Sequence, residues 1–165
     1  MKFFSSSLSA CLLISAAAVL PLSLQGIAKE AAEGKVVSTL KAFKITQKDG
    51  AEQLDSAETI RPGETLEYRA VYRNNGTKPA RDVQATLPIP RQLQFVASSA
   101  KPSTVLASTD GKTFATPPLR RRIKTADGVK VVAVPLAEYR YLRWNIGVLA
   151  PGATVGVAAR ATLVR

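Results

Sequence analysis

The stretch that most constrains the fold is TLEYRAVYR, residues 65–73. Leu66, Tyr68, Ala70 and Tyr72 take every second position, and Thr65, Glu67, Arg69 and Arg73 fall between them, with Val71 the exception. Side chains of a strand point alternately to its two sides, so this pattern predicts a strand with one buried and one solvated face. Turn residues bracket it. Pro62 presets its own φ, and Gly63 accepts the positive φ that a type II turn needs next. Asn74-Asn75-Gly76-Thr77 tolerates left-handed backbone on the other side.

The same logic extends along the chain. VVSTLKAFKITQK, residues 36–48, is rich in β-branched residues and predicts a first strand, turned by Asp49-Gly50. Residues 51–60 read as a polar connection. Val83, Ala85 and Leu87 mark a strand that Pro88-Ile89-Pro90 ends, and Leu93, Phe95 and Ala97 mark another. Residues 98–128 are the least regular, with Asp110-Gly111 and Asp127-Gly128 expected as hairpin turns. Residues 129–134 and 139–147 predict two more strands, the second with Leu142, Trp144 and Ile146 on one face. After a Pro151-Gly152 turn, residues 154–165 put Val155, Val157, Ala159, Ala161 and Leu163 inward. Seven to eight strands, with turn signals every ten or so residues, imply an all-β domain, an immunoglobulin-like β-sandwich over 36–165.

The first 28 residues read differently. Lys2 precedes an apolar stretch from Leu8 to about Leu24, and small residues stand at Gly26 and Ala28. This is the pattern of a secretory signal peptide cleaved after Ala28. Ser15, Pro21 and Ser23 break the run that a spanning helix would need, so no transmembrane segment is expected in the mature chain. Leu8-Ser9-Ala10-Cys11 resembles a lipoprotein box, but most of the apolar region lies after Cys11 rather than before it, which makes lipidation the alternative. Residues 29–35 read as a flexible lead-in. The expected destination is therefore the periplasm, the cell surface or the medium, with the domain standing alone.

Cleavage there removes the one cysteine; there is no histidine, and 22 Lys and Arg remain against 12 acids, a charge of +10. Zinc sites of the usual type and Cys–His or Ser–His catalysis lose their residues. The acids are scattered and several lie in expected turns, where they accept local backbone hydrogen bonds. No catalytic, cofactor or metal residue is assigned, and a carboxylate-type hydrolase is the most distant reading. A strongly basic exported domain favours anionic surfaces.

Three segments resemble one family: IRPGETLEYRAVYRNNGTKPARDVQATLPIPRQLQFV, ASTDGKTF and YRYLRWNIGVLAPGATVGVAARATLV. Together they resemble the conserved-repeat domain called domain of unknown function eleven. Pro62, Gly63, Tyr68, Asn74, Gly76, Pro88, Phe95, Trp144, Leu149, Pro151 and Gly152 fill its pattern over about residues 58–164. Thr86 stands where that pattern carries an acid, which weakens any shared metal site there. The resemblance implies an immunoglobulin-like sandwich of exported bacterial proteins, used as a surface, stalk or adhesion module and without a general enzymatic activity.

Two patches are candidates for contact. Arg120, Arg121, Arg122 and Lys124 put four cations in five residues, with Lys101, Lys112 and Lys130 as possible neighbours. Arginine's planar fork suits phosphate and carboxylate, although a charged edge strand that resists aggregation would look the same. Tyr139, Arg140, Tyr141 and Arg143 read as a tyrosine–arginine face opposite Trp144, of the composition enriched at protein interfaces. Trp144, Tyr68, Tyr72, Phe95 and Leu142 are expected in the core. Ser108–Phe114 resembles a structural Asp-box turn. The partner expected is an envelope polyanion or a protein. Nucleic acid is disfavoured, because no aromatic residue interleaves with the basic run. Strand addition to a sheet edge, as by a periplasmic assembly factor, is the alternative role.

Overall fold

The computed structural model describes residues 35–164; the leader, the lipoprotein-like box and most of the lead-in lie outside them. Among the described residues there are ten strands: β1 (Val36–Lys48), β2 (Ala51–Ser56), β3 (Thr65–Asn74), β4 (Ala80–Pro88), β5 (Leu93–Phe95), β6 (Leu106–Ser108), β7 (Arg120–Thr125), β8 (Gly128–Ala133), β9 (Tyr141–Leu149) and β10 (Thr154–Leu163). They form a five-stranded sheet in the order β2-β1-β3-β10-β5, a three-stranded sheet β4-β9-β6, and a separate β7–β8 hairpin. Every pairing is antiparallel. No helix among the described residues is long and apolar enough to cross a membrane.

Both large sheets contribute to one core. Leu66 and Ala70 from β3, Phe95 from β5, and Val157, Ala159 and Ala161 from β10 join Ala85 and Leu87 from β4 and Leu142 and Trp144 from β9. The alternation in the sequence therefore fixes these inner faces correctly, and Tyr68 and Tyr72 pack half-buried against them. The Trp144 indole N–H donates to the Pro102 carbonyl at 2.7 Å, so its polar atom is satisfied although the residue is buried. Asn74, fully buried at the end of β3, donates to the Lys78 and Leu149 carbonyls, each at 2.8 Å, and accepts from the Gly76 N–H at 2.9 Å. It locks the turn that leads into β4.

Four expectations need correction. Residues 51–56 are a strand, not a connection: Asp49 and Gly50 both have positive φ, 53° and 79°, the geometry of a two-residue hairpin turn that feeds chain straight back along β1. The turn dictates the pairing although AEQLDS has no β-branched residue. β5 ends at Phe95, because Ser98 turns the chain at φ 60°, and Ala97 stands in that turn. Neither later Asp-Gly pair is itself the turn expected: the β7–β8 turn is Ala126-Asp127, with Gly128 already paired to Thr125, and Asp110 closes no tight hairpin. Its carboxylate accepts the Lys112 and Thr113 N–H groups, at 2.8 and 2.9 Å, inside a wider loop bridged by Ala107 and Ala115. Glu67 does face away from the core, yet it is 3% exposed.

Candidate functional site

The basic run forms β7, paired residue for residue with β8: Arg120 with Ala133, Arg121 with Val132, Arg122 with Val131, Ile123 with Lys130, Lys124 with Val129 and Thr125 with Gly128. Directly opposite residues share a face, and faces alternate along a strand. One face therefore carries Arg121, Ile123, Lys130 and Val132. The other carries Arg120, Arg122, Lys124, Val129, Val131 and Ala133.

The two faces treat charge differently. On the first, Arg121 grips Glu138 with two hydrogen bonds, at 2.6 and 3.1 Å, and Lys130 lies 3.4 Å from Asp127. On the second, Arg120, Arg122 and Lys124 are exposed and have no acidic partner among the described residues. This is the bare face. Its other rail is apolar and also exposed, with Val129 at 63% and Val131 at 57%. The base of the hairpin is anchored: Leu119 and Val134, the residues flanking it, are both buried, and the Val134 N–H donates to the Leu119 carbonyl at 2.8 Å. Of the neighbours expected for the basic run, Lys130 is brought beside it by pairing. Lys101 instead bridges to Ala158 of β10, and Lys112 stands in the turn that Asp110 organises.

The tyrosine–arginine face does not form as expected. Leu136–Glu138 make one turn of 3-10 helix, and β9 begins only at Tyr141, so the period-two phase does not reach back to Tyr139. Tyr139 is fully buried, stacks on Phe95 with ring centroids 6.0 Å apart, and its hydroxyl accepts the Leu119 N–H at 2.7 Å. Arg140 donates to the Tyr139 and Ala137 carbonyls. Tyr141 packs on Gly111, where an added Cβ would come within 2.9 Å of the ring. Arg143 lies over the Phe114 ring, 3.6 Å from its centre, and Nε donates to Thr86 Oγ1 at 3.3 Å. Tyr139 is thereby withdrawn from the surface, while Arg140, Tyr141 and Arg143 stay partly exposed and brace their neighbours.

The sequence reading missed a charged network on the outer face of the five-stranded sheet. Glu67 accepts from Arg69 Nε at 2.7 Å and from Arg160 Nε at 3.1 Å, and Arg160 also forks onto Glu52 at 2.8 and 3.1 Å. Burial pushes the Glu67 carboxyl up, but the hydrogen bonds and charges of Arg69 and Arg160 outweigh it and hold it below the usual carboxylate range. Arg160 likewise holds Glu52 down. Two neighbouring carboxylates kept ionised in this way are poor proton donors at neutral pH. Asp110 is held down to about 2 by the Thr113 and Lys112 N–H groups and the Ser108 hydroxyl, which suits a turn. Among the described residues, no three His, Cys, Asp or Glu side chains gather as metal ligands.

No protein-family model, curated protein or solved structure matches the chain.

Proposed function

We propose that this is an exported, immunoglobulin-like β-sandwich protein that performs no covalent chemistry and associates with an anionic component of the cell envelope through the bare face of the β7–β8 hairpin. One observation carries the contact: the hairpin's cations are sorted, with Arg121 and Lys130 paired to acids while Arg120, Arg122 and Lys124 are left without them. Desolvated or paired charge serves the fold, whereas uncompensated charge in water attracts counter-charge from outside. Support for the sandwich comes from two antiparallel sheets that share a core around Trp144, and from the resemblance to the conserved-repeat domain. Support for export comes from the leader pattern over residues 1–28.

Strand addition at a sheet edge has β2 in its favour, a six-residue outer strand of the five-stranded sheet. The β4 edge is less inviting. The Tyr72 hydroxyl occupies both backbone groups of Thr86 there, accepting its N–H at 3.1 Å and donating to its carbonyl at 3.2 Å. The discriminating experiment is binding to isolated envelope fractions at low and high salt. Charge-driven association weakens with salt and falls on reversal of Arg120, Arg122 and Lys124 to Glu. Salt-resistant, stoichiometric capture of one protein that survives the reversal would move the assignment to strand addition.

A further inference from the structure

The bare face is not merely basic. It is divided lengthwise, with cations on β7 and aliphatic residues on β8, each cation directly opposite one of them. Same-face residues of one strand lie about 7 Å apart, and the neighbouring strand runs about 4.8 Å away. Three guanidinium or ammonium groups thus form a short rail beside Val129, Val131 and Ala133. A soluble polyanion would use the first rail and leave the second in water. A single exposed valine needs no explanation, but two in register beside three unpaired cations do.

We propose that this face docks on a lipid bilayer bearing anionic headgroups, a conclusion that rests on the basic-face reading above. Arg120, Arg122 and Lys124 engage lipid phosphates, and Val129 and Val131 enter the headgroup–acyl boundary beside them. Long cationic side chains reach outward to phosphate while their stems lie along apolar surface, so both rails are satisfied at one depth. The hairpin's architecture also limits that depth. Among the described residues β7 and β8 pair only with each other, so their outer backbone edges keep polar groups that hydrocarbon cannot satisfy. The hairpin therefore rests in the interface and does not span. The acid nearest its tip, Asp127, is drawn to Lys130, which belongs to the opposite face.

The test compares the protein as recovered from the cell, wild type and variants alike, for binding to vesicles of phosphatidylglycerol with phosphatidylcholine, to vesicles of phosphatidylcholine alone, and to polyphosphate. The pair Val129→Thr and Val131→Thr preserves β-branching and therefore the strand. It should weaken binding to the anionic vesicles by about tenfold, in line with the transfer cost of small apolar groups, and leave polyphosphate binding unchanged. Neutralising Arg120, Arg122 and Lys124 to Gln should lower both by about two orders of magnitude, at roughly fivefold per charge. Anionic-vesicle binding unchanged by the threonine pair, or wild-type binding to polyphosphate without binding to anionic vesicles, overturns the lipid proposal and leaves the basic-face reading standing. Wild-type behaviour of the triple glutamine variant on both ligands overturns the two together.

Discussion

The β1–β2 hairpin turns at Asp49-Gly50 and the β7–β8 hairpin at Ala126-Asp127, each a two-residue turn, yet they treat charge in opposite ways. In the first, Glu52 meets Arg160, which also holds the buried Glu67, so charge from three strands closes on itself. In the second, one face is neutralised by Glu138 and Asp127 and the other is left bare. Turn chemistry shapes each hairpin, through Asp49-Gly50 at positive φ in the first and through Ala126-Asp127 followed by Gly128 at φ 117° in the second. It says nothing of what each is for, and that is decided by where the compensating charge lies. The contrast predicts that substitutions in the first region act on stability and those in the second act on association.

The largest effect should come from the bare face. Cations close to an anionic surface contribute about 1 kcal/mol each, so replacing Arg120, Arg122 and Lys124 by Gln should cost about 3 kcal/mol of envelope association. Because the three are exposed and unpaired, the urea midpoint should move little, within about 0.5 kcal/mol of stability. Loss of association together with comparable loss of stability would erase the contrast between the hairpins.

Glu67→Gln should do the reverse. It removes the charge that Arg69 and Arg160 share and should cost about 2 kcal/mol of stability, the scale of hydrogen bonds to charged groups. Envelope association should not change. A Glu67→Gln, Arg160→Gln double-mutant cycle separates their coupling from the loss of each side chain alone.

The pH dependence follows from the same group. The Glu67 carboxyl ionises more readily in the folded chain than in the unfolded one. Its contribution is therefore fully present above the ordinary carboxylate range and is lost as the pH falls through its folded value. Urea midpoints measured down that range should decline more steeply for the wild type than for Glu67→Gln. Parallel stability curves for the two proteins would mean that Glu67 is not the titrating group.

Much of this was legible in the sequence. The alternation in β3, β4, β9 and β10 located the shared core, because period two is a local property of the chain. What was not legible depended on distance or on phase. Glu67 reads as a solvated strand residue until Arg160, 93 residues on, folds across it. Tyr139 reads as a continuation of β9 until a turn of 3-10 helix resets the phase and places the ring on Phe95. β2 has poor strand composition and pairs because of its turn. The basic run was visible at once, but its sorting into paired and bare faces was not, since Glu138 lies 17 residues from Arg121. The valine rail was readable in the alternation of VKVVAV, had the register with β7 been known.

The smallest effect tests the sorting most directly. The Arg121–Glu138 pair is well formed but half-exposed, with side chains at 48% and 40%. Such pairs are worth about 0.2–1 kcal/mol, so Glu138→Gln should barely shift the urea midpoint. It does, however, release a fourth cation beside the three unpaired ones. If association depended on the local sum of charge, Glu138→Gln should strengthen binding about as much as losing one bare-face cation weakens it. If it depends on which face the charge occupies, the released Arg121 points to the wrong side and binding should hardly change. The second outcome is expected. It would mean that the strand's two-sidedness, more than the density of basic residues, makes the hairpin a contact surface.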